Sequence, residues 1–280
     1  MKSKNPLISL YGFDYLIEQA QSQISKTALK ELVSSLYLDA SREEVDIGRP
    51  RSMREGRGRK HARKKAQLEG VLGMVKELFP EGEILEICSG SGALSELIAE
   101  KLSTRVTGVD MDVNLVEKAQ RRNGSELVEF KLTDILNGGI PGEYGLVVAL
   151  HACGYLSDRV LSIAAEKGAD VVCVPCCYGK MNQQSRVLPR SAELSKRVET
   201  YQSILKKLIS MEGCVNDTKD TRQNLLLETY RRLVDFDRVF YLRERGYEVS
   251  FRKISERRVK GEKRKHFASS LDSAIVGSRN

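Results

Sequence analysis

The sequence has no run of about 18 apolar residues, so it offers no stretch that could cross a membrane as a helix. Its N-terminus also lacks an apolar signal core, which leads us to expect a protein of the cytoplasm. Thiols stay reduced in that compartment. We therefore expect the six cysteines, at positions 88, 153, 173, 176, 177 and 214, to be free thiols rather than a disulfide framework.

A glycine-containing turn between a strand and a helix is the most informative feature of the chain. Residues 83–94 read E-I-L-E-I-C-S-G-S-G-A-L, an apolar strand followed by glycines at 90 and 92 and by a helical pattern. This arrangement is typical of the first unit of a doubly wound nucleotide-binding sheet. A dinucleotide site would have a third glycine at position 95, where this chain has Ser95.

Three acidic residues fall at the ends of three successive predicted strands. Glu86 lies in the first strand, Asp110 ends the second, and Asp134 follows the third. Ligands bind at the C-terminal edge of open α/β sheets, so these carboxylates are expected to meet there. Asp110 would accept ribose hydroxyls, and Asp134 would accept an exocyclic amine such as adenine N6. Glu86 favours a cationic ligand over a pyrophosphate, which its charge would repel.

Residues 83–136 resemble the cofactor-binding half of class I S-adenosylmethionine (SAM) methyltransferases, through the E-x-C-x-G-x-G loop and the acids after strands two and three. The resemblance implies an α/β fold: a Rossmann-like, doubly wound, mostly parallel seven-stranded sheet with an antiparallel last strand. It also implies SAM as the cofactor, and a dehydrogenase-like fold remains the alternative. The residues implied in cofactor binding are Glu86, Cys88, Gly90, Gly92, Asp110, Met111, Asp134, Ile135 and His151.

Two further segments follow strands four and five, where such enzymes carry out their chemistry. They read A-L-H-A-C-G-Y-L-S-D and C-V-P-C-C-Y-G-K. They resemble a methyltransferase subgroup with H-A-C-G and P-C-C-Y at these places. More loosely they resemble tRNA ribose 2′-O-methyltransferases, whose basic lead-in is similar to residues 60–73. The chain departs from the tRNA enzymes at Ala149-Leu150, where those have a lysine before the histidine, and at Tyr178-Gly179.

The candidate catalytic residues are His151, Cys153, Tyr178 and Lys180. His151 can act as a general base or position the acceptor, because its unperturbed pKa lies near neutrality. Tyr178 and Lys180 can stack a flipped base or hold a phosphate. In a second mechanism Cys153 is a nucleophile, and the neighbouring His151 helps to lower its pKa.

A metal site formed by cysteines 153, 173, 176 and 177 is a third possibility. The adjacent pair at 176 and 177 is awkward for a tetrahedral site, and cysteine commonly packs as a small apolar residue. We therefore expect no metal ligands.

Basic residues are concentrated in two segments of a chain whose net charge is +8. The first, residues 49–65, holds nine Lys/Arg and one Glu, and the second, residues 252–265, holds eight Lys/Arg and two Glu. Such clusters are typical of chains that contact phosphates, and the two can share one face beside the sheet. We expect RNA, with tRNA favoured, as the partner and acceptor. The alternatives are a methyltransferase of proteins or small molecules and a catalytically inactive RNA-binding protein. The predicted substrate-binding residues are Arg57, Arg59, Lys60, Arg63, Lys64 and Lys65.

The chain is predicted to have two parts. Residues 1–65 form a helical N-terminal extension, with helices at 11–21 and 27–38 and a basic linker. Residues 66–280 form the methyltransferase domain, with a helical insertion at about 186–246. Its predicted elements are a helix at 66–79, strands at 84–87, 106–109, 128–132, 146–150 and 171–174, a helix that Asp158 caps, long helices over 191–246, and final strands at 248–254 and 273–276.

Overall fold

The computed structural model of the protein describes residues 58–78, 82–178, 180–181, 188–214, 221–254 and 273–279. The predicted helices at 11–21 and 27–38 lie outside these residues, as do most of the first basic segment and residues 255–265 of the second. None of the helices in the described part of the chain is long and apolar enough to span a membrane.

Seven strands in the described residues form one sheet in the order β3-β2-β1-β4-β5-β7-β6. Strands β1 to β5 run parallel, and β7 runs antiparallel to both β5 and β6, which confirms the predicted fold class. The order reverses between β1 and β4, the place where such sheets open a crevice for a ligand. The strands are β1 Ile84–Ile87, β2 Val106–Asp110, β3 Val128–Leu132, β4 Leu146–Cys153, β5 Asp170–Cys176, β6 Tyr247–Lys253 and β7 Ser273–Arg279.

Helices cover both faces of this sheet. Two helices begin earlier than predicted: α1 begins at Gly58, so the end of the basic linker is helical, and α4 begins at Leu156. Asp158 therefore lies inside the first turn of α4 and does not cap it. The helices are α1 Gly58–Leu78, α2 Ala93–Leu102, α3 Val113–Arg122, α4 Leu156–Lys167, α5 Ala192–Ser195, α6 Val198–Cys214 and α7 Thr221–Arg243.

Side chains along the central strands point alternately to the two faces of the sheet, so the core has two layers. In β4, Leu146 and Val148 belong to the cluster formed with α1, α2 and α3. Val147 and Ala149 point to the opposite face and join the cluster formed with α4, α6 and α7. Successive strand side chains point to opposite faces, so a strand buried on both sides is apolar throughout, as β4 is.

Helix α1 lies directly against the end of β6. A Cβ atom placed on Gly70 would be 1.7 Å from the carbonyl oxygen of Ile254, so only glycine allows this approach. Nearby, the Arg252 guanidinium forms an ion pair with Glu77 of α1. The second basic segment therefore leaves the sheet beside the helix that continues the first one.

Candidate functional site

The glycine turn connects β1 to α2 at the sheet edge where the strand order reverses. Gly92 has a left-handed φ of +81°, and a Cβ there would lie 2.3 Å from the Phe130 ring. A Cβ on Gly90 would meet nothing within 4 Å, so open space lies beside the backbone at this point. Gly90 also donates its N–H to the Asp110 carboxylate at 2.8 Å, which joins the turn to the end of β2.

Glu86 is the buried carboxyl of this turn, with only 2% of its surface exposed. Burial raises its pKa from 4.5 to about 7, although a hydrogen bond donated by the Ser95 hydroxyl opposes the shift. The charge of Lys64 on α1 also favours the ionised form, so that lysine lies close enough to act on the site. A carboxyl that is half neutral at pH 7 would ionise when a cation binds beside it.

The carboxylate of Asp110 ends β2 at the same edge. Its two oxygens accept N–H groups from Gly90 and from Asp112, at 2.8 and 3.0 Å. Asp134 lies in the loop after β3 and accepts hydrogen bonds from Asn137 and the Leu136 N–H, which lower its pKa. Asp110 is thus oriented by the glycine turn and by its own loop, and Asp134 by its own loop; each oxygen keeps a further lone pair for a ligand donor.

Three other predicted cofactor residues surround these acids. Met111 follows β2 and leaves 62% of its surface exposed, whereas Ile135 is buried in the core. Cys88 lies between β1 and the glycines with a left-handed φ of +59°. Burial raises the pKa of its thiol to about 12, so the group stays neutral and packs as an apolar residue.

His151 lies in β4, at an irregularity of the pairing with β5 between Leu150 and Ala152. It has a left-handed φ of +68°, a conformation rare for a residue with a side chain. Its Nε2 atom is 3.2 Å from Oε1 of Gln67 on α1. The helix before the first strand therefore orients the candidate base, a role that the sequence did not indicate.

Three of the four cysteines considered as ligands come together at the C-terminal ends of β4 and β5. The sulfur atoms of Cys153, Cys176 and Cys177 lie within 4.8 Å of one another, whereas Cys173 packs in the core. A hydrogen bond from Cys176 is the main cause that lowers the pKa of Cys153 to about 6, with help from the charge of Lys180. The neighbouring thiols of Cys176 and Cys177 thus lower this pKa, the role that the sequence assigns to the His151 ring, whose Nε2 lies 3.2 Å from Gln67.

Tyr178 does not occupy the position predicted for it. Only 1% of its surface is exposed, and its hydroxyl donates to Asp235 of α7 at 2.6 Å. Asp235 also accepts hydrogen bonds from Arg232 and Arg238, and Arg238 in turn binds Asp158 at 2.8 Å. The ring therefore has no free face for a flipped base, and Tyr178 instead ties the segment after β5 to α7.

The predicted substrate-facing cations lie partly within the described residues. Lys180 is exposed beside the cysteine cluster, and its N–H donates to the carbonyl of Cys177 at 2.9 Å. Lys64 is exposed on α1, and Lys65 pairs with Glu69 at 3.7 Å. The backbones of Arg59, Lys60 and Arg63 continue the same helix, and Arg57 lies outside the described residues.

A family model described as "Methyltransferase domain" matches residues 63–184. This range begins in α1 and ends beyond β5, so it contains the glycine turn, the three acids, His151 and the cysteine cluster.

Relatives with longer chains match over 67% of this protein. The "Glutathione S-transferase C-terminal domain-containing protein homolog" of Drosophila melanogaster is 28% identical over 193 residues, which are 33% of its length. The corresponding mouse protein, from Mus musculus, is 27% identical over 191 residues, 30% of its length. The chain thus spans about a third of the length of these curated relatives.

Among solved structures, the plantazolicin methyltransferase BpumL in complex with SAH aligns over 98% of both chains, at 12% identity and a TM-score of 0.39. DesVI from Streptomyces venezuelae aligns over 40% of this chain and 50% of its own, at 18% identity and a TM-score of 0.34. Residues 63–184 are thus similar to a methyltransferase domain, and they lie in a doubly wound sheet whose two strands beyond β5 include the antiparallel β7.

Proposed function

We propose that this domain transfers the methyl group of SAM to RNA, with tRNA as the favoured class, in the cytoplasm. The observation that carries the proposal is the position of α1. This helix continues the first basic segment, and its residue Gln67 lies 3.2 Å from the His151 ring, while the charge of Lys64 one turn earlier favours the ionised form of Glu86. A polyanion held by the basic segment would therefore lie next to the edge that binds the methyl donor.

The contact between α1 and β6 adds a second basic segment to the same side. Gly70 touches Ile254, and Gly70 is only six positions beyond Lys64, about 9 Å along a helix. Residues 252–265 continue from this point with eight Lys/Arg and two Glu. The described parts of the two segments, residues 58–65 and 252–254, lie in or against α1, and such a concentration of cations suits an extended phosphate backbone better than a small acceptor, because each phosphate contact adds to affinity.

The acids and the histidine have separate roles in the proposed reaction. SAM, when bound, supplies a methyl group already activated by its sulfonium. The buried Glu86 carboxyl provides a negative charge for the cationic part of the cofactor, and Asp110 would accept the ribose hydroxyls. His151, whose Nε2 lies 3.2 Å from Oε1 of Gln67, is the residue proposed to position the acceptor or to take the proton of its hydroxyl or amine.

Labelling from methyl-tritiated SAM tests the proposal. We expect the full chain to transfer tritium to total RNA, and we expect ribonuclease treatment of the substrate to abolish the acid-precipitable label. Label that appears only in the protein fraction of an extract would overturn RNA as the acceptor. The same experiment on size-separated RNA tests whether the label runs with tRNA.

A pair of charge reversals tests the role of α1. Lys65→Glu should weaken RNA binding and reduce the slope of log affinity against log salt by roughly one unit or more. Lys118→Glu makes the same charge change on the exposed face of α3 and should leave the slope close to that of the wild type. Equal effects of the two variants, or a wild-type affinity that is independent of salt, would contradict the proposed contact.

A further inference from the structure

The cysteine cluster at the C-terminal ends of β4 and β5 is the feature that the methyl transfer described above leaves unexplained. The three sulfurs of Cys153, Cys176 and Cys177 lie within 4.8 Å of one another, and the Cys153 and Cys176 sulfurs are 3.2 Å apart. Each thiol offers one ligand atom, and a single ion between them could contact all three. Thiolates are soft ligands, which zinc, copper(I) and iron–sulfur clusters prefer to carboxylates.

The backbone explains how two adjacent cysteines contribute to one cluster. Cys153 and Cys176 are paired residues of neighbouring parallel strands, so their side chains point to the same face. In continuous extended chain, Cys177 would then point to the opposite face. It instead has a left-handed φ of +52°, which turns the chain where β5 ends. This turn therefore allows Cys176 and Cys177 to contribute to one cluster although they are adjacent in sequence.

Local contacts hold both halves of the cluster in place. The Gly154 N–H donates to the Cys176 carbonyl at 2.7 Å, and the Lys180 N–H donates to the Cys177 carbonyl at 2.9 Å. Gly154 itself has a φ of +54°, and a Cβ there would lie 3.0 Å from the Cβ of Lys180. The two loops are thus packed against each other, and a left-handed residue with a side chain, such as Cys177, is often found at a functional site.

We propose that Cys153, Cys176 and Cys177 bind a zinc ion through three thiolates, with the fourth position open to solvent. Zinc–sulfur bonds of about 2.3 Å place the sulfurs of a tetrahedral site about 3.8 Å apart. The observed separations of 3.2 Å to at most 4.8 Å require shifts of at most about an ångström. Binding displaces three thiol protons and leaves a centre of net charge −1, which the nearby Lys180 ammonium would offset.

The location of the three cysteines distinguishes this zinc site from a structural zinc site, in which all four ligands come from the protein. Cys177 is exposed, so the ion has an entry path and room for a fourth ligand such as water. The cluster lies at the same C-terminal edge of the sheet as the glycine turn. Zinc sites with three protein ligands and an open position are typical of reaction centres, whereas structural zinc sites usually have four protein ligands.

Metal content of the full chain tests the proposal. Protein purified under reducing conditions, exposed to excess zinc and then desalted should retain one zinc ion per chain by mass spectrometry of the metal. Cobalt(II) in place of zinc should give the charge-transfer absorption of thiolate ligands. Cys177→Ser is the main variant, because the residue is exposed and serine is nearly isosteric, and it should lose the zinc and the absorption band.

Cys173→Ala is the matched control, since this cysteine is in β5 but outside the cluster. It should keep one zinc ion per chain, and Cys153→Ser should lose it. Thermal unfolding of each variant shows whether a loss reflects misfolding. The proposal fails if the reduced wild-type protein retains no zinc, if Cys177→Ser folds and binds as the wild type does, or if Cys153 and Cys176 form a disulfide and the reduced pair binds no metal.

Discussion

Replacing Glu86 with glutamine is expected to stabilise the cofactor-free protein above pH 7 while weakening SAM binding. The carboxyl is 2% exposed, and its pKa rises from 4.5 to about 7 chiefly because burial penalises its charge. Glutamine has the same shape and can still accept the hydrogen bond of the Ser95 hydroxyl. The substitution therefore removes the buried charge while keeping an acceptor for this hydroxyl.

The magnitude follows from the shift in pKa. A group whose pKa is higher in the folded state favours folding fully below its unfolded pKa, here 4.5, and this contribution is lost as the pH rises through about 7. A shift of about 2.5 pKa units corresponds to roughly 3 kcal/mol. The free energy of unfolding of the wild type should thus fall by up to this amount between pH 4.5 and 8, relative to Glu86→Gln.

Urea unfolding of both proteins at several pH values between 5 and 8.5 measures the difference between their free energies of unfolding. Calorimetric titration with SAM measures the loss of SAM affinity. Losing one charged hydrogen-bonding partner should weaken SAM binding roughly tenfold or more. Glu100→Gln, on the exposed side of α2, is the control and should change neither quantity. A Glu86→Gln protein that is less stable than the wild type at pH 8, or that shows the same dependence on pH, would refute this account of the buried carboxyl.

Three other substitutions have defined outcomes. Asp235→Asn should lower the free energy of unfolding by about 3–5 kcal/mol in urea titrations, because it leaves two buried guanidinium groups without their shared carboxylate; an effect below about 1 kcal/mol would contradict this. Gly92→Ala should lower the free energy of unfolding by about 1–2 kcal/mol, because residue 92 has a left-handed backbone, and its Cβ would also displace Phe130. Calorimetry should show weaker SAM binding by this variant. Gln67→Leu should lower the methylation rate and shift its pH profile while SAM affinity stays within about twofold, since Gln67 contacts His151; an unchanged pH profile would argue against a positioning role.

Local patterns were sufficient to predict the parts of the site that lie near one another in sequence. The strand, the glycine turn and the following helix occupy consecutive residues, so their periodicity and composition define them. The ends of strands β2 and β3 are equally local, which is why Asp110 and Asp134 were placed at the correct edge. Boundaries were less accurate, because the basic residues at the start of α1 were interpreted as a linker, although Arg and Lys are good helix formers.

Contacts between distant residues were beyond such reasoning. Gln67 and His151 are 84 positions apart, and Tyr178 and Asp235 are 57 apart. Tyr178 follows a strand in a segment with the composition of a substrate loop, and only the packing of α7 shows that its hydroxyl has a buried partner. Cys177 has a left-handed φ, and the segment that it begins contacts Gly154 of the loop after β4 through Lys180, so the convergence of adjacent cysteines is not visible in the sequence.

Calorimetric titration of SAM into the wild-type protein and Asp110→Asn tests the central claim most directly. The carboxylate of Asp110 is joined to the glycine turn by the Gly90 N–H, and it is the group expected to hold the ribose of the cofactor. The account predicts binding of one SAM per wild-type chain and an affinity roughly tenfold or more lower in a folded Asp110→Asn protein. A wild-type protein that binds no SAM, or a variant that binds it equally well, would contradict the claim.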